Sequence, residues 1–161
     1  MNPTRLGDQL LAALTADPAQ FTPPLMDVWI TRFDSWDVCD QVCLNVFRHP
    51  DFAFARARAW STREPEFEKR AAFALLATLA VHRKTEPTQT FLDFLPVIAQ
   101  AADDDRNFVK KAVNWGLRQI GKRPSETCLT AALDLAEELT TRDSKSARWI
   151  GRDAMRELLR R

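Results

Sequence analysis

Residues 106–123 read RNFVKKAVNWGLRQIGKR. At 100° per residue, Val109, Val113, Leu117 and Ile120 fall on one arc, the pattern of a helix that buries a single face. Lys111, Arg118 and Lys122 fall roughly opposite, with Trp115 beside them, and the stretch holds six basic residues and no acidic one. A large aromatic on the basic face, away from the aliphatic one, is unusual for a globular helix. It is either covered by a neighbouring helix and lysine stems or turned towards a ligand.

The stretch decides the fold class because it recurs. Phe108 has counterparts 41 residues to either side, at Phe67 and Trp149. Lys111 is matched in the same way by Arg70 and Arg152, and Leu117 by Leu76 and Leu158. A period close to the ~40–47 residues of HEAT and armadillo repeats implies stacked helix pairs. The surrounding punctuation agrees: four glycines in all, prolines between apolar periodic segments, and no alternating strand pattern bounded by hairpin turns. Nine helices are predicted, at about 4–15, 24–33, 35–48, 51–62, 65–83, 88–101, 106–121, 125–140 and 144–160. Pro65 and Pro124 suit first-turn positions, while Asp34 or Ser35, Asp105 and Asp143 are candidate caps. The expected architecture is all-α: a right-handed HEAT/armadillo-like solenoid of about four stacked helix pairs with a concave basic groove, forming one domain over residues 1–161.

Composition narrows the function classes. At 161 residues, 45% hydrophobic and 28% charged, the chain can build one real core and is not of disordered type. No apolar run reaches the ~18 residues of a membrane span, and MNPTRLGDQLL at the start lacks the long apolar region of a secretory signal. Three cysteines, an odd number without a compact framework, favour a reducing cytoplasm. The net charge of +1 is an average over an uneven distribution, since acids cluster in EPEFE (64–68) and ADDD (102–105). The last helix carries Arg148, Arg152, Arg156 and Arg160 four apart, with Trp149 on the same half. These arginines suit the helix dipole. With the 106–123 face they also make a basic stripe on the scale of a nucleic-acid backbone.

The stretch SWDVCDQVC, residues 35–43, adds an acid where none is expected. Val38, Cys39, Val42, Cys43 and Val46 make the apolar arc; Asp37, Gln41 and Asn45 make the polar one. Asp40 falls instead with Trp36, Leu44 and Phe47, and lies one turn from Trp36. A carboxylate against an indole is either half of a structural salt bridge or a functional anion in a semi-apolar wall. Arg70, in FEKRAAFALLA, lies on a helix that is apolar nearly all round and therefore needs a partner: Glu66, Asp40 or a ligand phosphate. Two distant histidines and a Cys39-x-x-x-Cys43 spacing make a poor zinc site, so the cysteines read as core. No phosphate loop, nucleophile elbow or dinucleotide fingerprint is present.

Taken in order, SWDVCDQVC, EKRAAFALLA and NFVKKAVNWGLRQIGKR resemble the AlkD-like DNA alkylation repair family over roughly residues 24–160. Members are DNA glycosylases of HEAT-like repeats that excise alkylated purines. The resemblance implies Asp40 as the catalytic carboxylate, with Trp36 one turn before it, Arg70 on a phosphate and Trp115 as the second tryptophan of the cleft. Lys111, Arg118, Lys122, Arg148 and Arg152 are the expected backbone contacts. The expected partner is double-stranded DNA containing alkylated bases, with no cofactor, no metal and no membrane; the oligomeric state is left open by the sequence, a monomer being favoured. A cationic N3- or N7-alkylpurine leaves with little acid assistance, so the fixed carboxylate stabilises an oxocarbenium-like transition state. In typical members several helices precede the Trp and Asp helix, whereas here it begins at residue 35, so N-terminal repeats of the family are expected to be missing. A non-catalytic DNA-binding solenoid and a protein-interaction scaffold are the competing readings.

Overall fold

The computed structural model describes residues 3–160, with side chains from residue 7 onward. Among these residues there is no strand. Helix α1 (Pro3–Thr15) is followed by a 3-10 turn (Pro18–Gln20), α2 (Pro23–Ile30) and α3 (Trp36–Val42). Helix α3 runs on into a π-helical turn, Cys43–Phe47. Then come α4 (Ala53–Trp60), α5 (Glu66–His82), α6 (Thr88–Leu92) and α7 (Leu95–Ala101). The chain ends in α8 (Asn107–Gly121), α9 (Glu126–Thr140) and α10 (Lys145–Leu158).

Packing arranges these helices in two rows. Helix α3 lies on α5, α5 on α8 and α8 on α10, while α4 covers α5, α7 covers α8, and α9 lies against α10, α8, α6 and α7. The centre of the first row is α5, whose residues 70–80 are all buried. Its alanines, at 71, 72, 74, 77 and 80, keep the helix thin enough to be flanked on several sides. Helix α8 buries the predicted arc of Val109, Val113, Leu117 and Ile120. Helix α10 approaches α9 so closely at Gly151 that a Cβ there would sit 2.4 Å from the Ala136 carbonyl oxygen.

The 41-residue echo has a physical counterpart. The Phe67 and Phe108 rings lie 5.4 Å apart, and Arg70 donates to the Phe108 carbonyl at 2.7 Å. Equivalent positions on α5 and α8 are thus side by side. Cys39 and Cys43 point from α3 and its π turn onto α5, their thiols donating to the carbonyls of Phe67 and Ala71. Burial pushes the Cys43 thiol well up, so both cysteines belong to the core.

Several local expectations shift by a residue or a turn. Ser35 caps α3 through Val38 N–H, as one of the two candidates. The cap of α10 is Ser144, one residue beyond Asp143, and Asp104 rather than Asp105 accepts from Arg106 N–H before α8. The helix predicted over 88–101 is two helices, broken at Asp93 and Phe94. Pro96 has no amide hydrogen to give the Leu92 carbonyl. The break lets Phe91 and Phe94 both turn inward against Phe54. No described helix is long and apolar enough to cross a membrane.

Candidate functional site

A groove of ≈ 440 Å³ opens along the first row of helices, lined by Asp40, Arg70, Lys111, Asn114, Trp115, Arg118, Trp149 and Asp153. Helices α3, α5, α8 and α10 each contribute to it. Five of the residues singled out in the sequence, Asp40, Arg70, Lys111, Trp115 and Arg118, are brought together here. The other four are not. Trp36 stands 47% exposed one turn before Asp40 and does not line the groove. Lys122 lines a separate cavity at the end of α8. Arg148 and Arg152 line another on α10.

Asp40 and Arg70 form the centre. Arg70 Nε donates to Asp40 Oδ1 at 3.1 Å and Nη2 to Oδ2 at 2.8 Å, while Nη1 is held by the Phe108 carbonyl. Of the three partners open to Arg70 in the sequence, Asp40 is therefore the one it takes; Glu66 instead accepts from Phe108 N–H. This fork-to-fork geometry is the strong, orientation-fixing form of an ion pair. Arg70 is only 7% exposed and Asp40 is half-buried. Burial raises the Asp40 carboxyl above its ordinary value and outweighs the hydrogen bond and charge of Arg70; the charge of Asp37 adds to the rise. The helix that carries Asp40 passes into its π turn three residues later, where Arg48 N–H reaches back to the Cys43 carbonyl. That turn re-aims the end of the helix so that Phe47 packs inward between Phe21 and Trp60.

The opposite wall is made by α8 and α10. Trp115 is half-buried and packs against the core, so its indole has both a packed edge and a groove edge. Asn114 is 2% exposed, donates through Nδ2 to Asp153 at 2.7 Å, and has no partner for its Oδ1. Glu157 accepts from both Arg118 and Lys122, and Asp153 lies 3.9 Å from Arg118 Nε. The α8 cations therefore meet carboxylates from α10 that the sequence reading did not use; Lys111 alone of the three is exposed and without an ion-pair partner among the described residues. The signal was present: Trp149, Asp153 and Glu157 are four apart and share one face. Asn114 likewise lies between Lys111 and Arg118 at helical spacing.

Chemically, the groove offers a fixed, half-buried carboxylate facing cations and two indoles. Such a set can stabilise a developing positive charge beside the carboxylate while holding flanking anions. Among the described residues, no group of three or more His, Cys, Asp or Glu could hold a metal ion.

The sequence matches the family described as DNA alkylation repair enzyme over residues 5–158, so the chain belongs to that family. The match begins upstream of the region that carries the three motifs. No curated protein and no solved structure matches it.

Proposed function

From membership of the DNA alkylation repair enzyme family, we propose that this chain is a DNA glycosylase that releases cationic N3- or N7-alkylated purines, with Asp40 as the catalytic carboxylate. The observation that carries the reading is the bidentate Arg70 clamp on a half-buried Asp40 at the centre of a groove walled by Trp115 and Trp149. The row α3, α5, α8, α10 and its 41-residue echo support a HEAT-like solenoid whose groove receives the DNA.

In this reading the alkylated base departs as a neutral leaving group from a sugar that gains positive charge. Asp40 faces that sugar through the lone pairs Arg70 does not use. Arg70 acts as a positioning residue: its three hydrogen bonds go to Asp40 and a backbone carbonyl, so holding the carboxylate is its first task. A unit charge 4 Å from the carboxylate gains about 4 kcal/mol at an effective dielectric of ~20, a rate factor of about a thousand. Lys111 and, once displaced from Glu157, Arg118 supply sequence-independent contacts to phosphates.

The test is incubation with a duplex carrying one N7-methylguanine, reading free base and abasic sites. The expected result is release that falls about a thousandfold in Asp40→Asn, with the melting temperature showing both proteins folded. No release above the uncatalysed rate, or equal release by Asp40→Asn, overturns the glycosylase reading. Duplex binding without release leaves a DNA-binding solenoid, which the occupied state of both Asp40 oxygens also accommodates.

A further inference from the structure

We propose that the cavity around Trp149 on α10 is a second nucleotide site, taking an unpaired base of a DNA strand as it leaves the groove. It rests on the reading of the groove as a DNA site, and extends it to a substrate feature the groove alone does not select.

The cavity measures ≈ 330 Å³ and is lined by Lys145, Arg148, Trp149, Arg152 and Arg156. That volume falls within the ~300–1,000 Å³ of small-ligand sites. Every polar side chain in the lining is a cation. Lys145 and Arg152 have no ion-pair partner among the described residues. Arg148 is anchored by donating to the carbonyls of Arg142 and Asp143, so its charge is positioned without being neutralised by a carboxylate. Only Arg156 has one, Asp153 at 3.4 Å.

Helix geometry explains the segregation. Trp149, Asp153 and Glu157 turn towards α8, where the two acids meet Asn114, Arg118 and Lys122. Lys145, Arg148 and Arg152 follow the neighbouring stripe and pair with neither of those acids, while Arg156 at its end reaches back to Asp153. Trp149 lines both the groove and this cavity, so a strand in one is led into the other past a single indole. Trp149 is 38% exposed although its helix neighbours Ala147, Ile150 and Ala154 are fully buried. Lys110 from α8 holds it, its ammonium 4.9 Å from the ring centroid.

Cations alone would suit any anion; the exposed indole among them suits a phosphate joined to a flat ring. In a duplex the base faces are stacked on their neighbours and out of reach. Only an unpaired nucleotide presents a face to Trp149, and stacking on an aromatic side chain is worth about tenfold in affinity per base or somewhat more.

The experiment uses undamaged DNA: a short fluorescent duplex with a single-stranded extension of a few thymidines, against the same duplex with an extension of abasic residues. The two carry equal phosphate charge and differ only in the bases. The expected result is about tenfold tighter binding of the thymidine extension, a ratio that falls to about one in Trp149→Ala and returns in Trp149→Phe. A ratio near one in the unmodified protein overturns the proposal, as does a ratio that survives Trp149→Ala or competition by polyglutamate equal to that by oligothymidine. Because no lesion is present, loss of excision activity and loss of this preference are read separately.

Discussion

If the groove receives DNA as proposed, Glu157 competes with it for the cations of α8, and neutralising this acid changes binding in a way the geometry sets. Its carboxylate accepts from both Arg118 and Lys122. In Glu157→Gln the ion pair between Glu157 and Lys122 is lost, as is that with Arg118, which retains Asp153 at 3.9 Å. Between one and two further phosphates are then neutralised when duplex DNA binds. Each adds about 0.9 to the slope of log K against log salt, so the slope steepens by about 0.9 to 1.8. Over the fourfold change from about 50 to 200 mM salt, the variant loses roughly 3- to 12-fold more affinity than the unmodified chain, starting from tighter binding at low salt. Fluorescence anisotropy on an undamaged duplex over that range measures it. Half-exposed pairs of this kind contribute only about 0–1 kcal/mol, so the melting temperature moves little. An unchanged slope, or weaker binding at low salt, refutes the reasoning: Arg118 and Lys122 would then not reach phosphates whatever Glu157 does.

In the proposed reaction, excision has an acid limb whose midpoint lies above the ordinary carboxylate value, because burial raises Asp40; rates of N7-methylguanine release across pH measure it. Arg70→Met removes both influences that lower it and moves the midpoint higher still. The sign separates this limb from unfolding. A raised carboxyl contributes its stability below the unfolded value and loses it as pH rises through the folded one. Asp104 works the opposite way: Arg106 and Lys69 hold it well below the usual range, so its contribution is lost as pH falls, and a melt at each pH shows where that begins. At the α9–α10 contact, Gly151→Ala drives a Cβ to 2.4 Å from a backbone oxygen and costs about 3 kcal/mol or more. Gly116→Ala meets its nearest neighbour at an ordinary 3.5 Å and stays within about 1 kcal/mol. Thermal melts of the two variants compare them.

What the sequence disclosed and what it withheld divide along one line. Periodicity tells which face of a helix is buried, so the apolar arc of α8 and the core cysteines of α3 were legible from spacing alone. The 41-residue echo implied stacked helix pairs, and one of its residue pairs, Phe67 and Phe108, lies ring against ring. Neither tells how far one helix is rotated against the next. For that reason Arg70 had three possible partners, and Asp153 and Glu157 went unused although α10 presents them to α8. The 88–101 break was legible in Pro96, yet periodicity continued through it because Phe91, Phe94 and Ile98 all remain buried.

The sequence left Asp40 as either a structural ion or a functional one, and under the proposed reaction these are two descriptions of the same residue. A carboxylate that is to face a developing cation must be kept from rotating and kept partly out of water, where its field is less screened. Burial alone would push it towards its neutral acid form, which stabilises no cation. Arg70 opposes that shift and fixes both oxygens, while the Phe108 carbonyl fixes Arg70 in turn. The last of these contacts comes from α8. The carboxylate is therefore set by stacking between successive helices, and changes on α8 that shift the Phe108 backbone reach Asp40 without touching it.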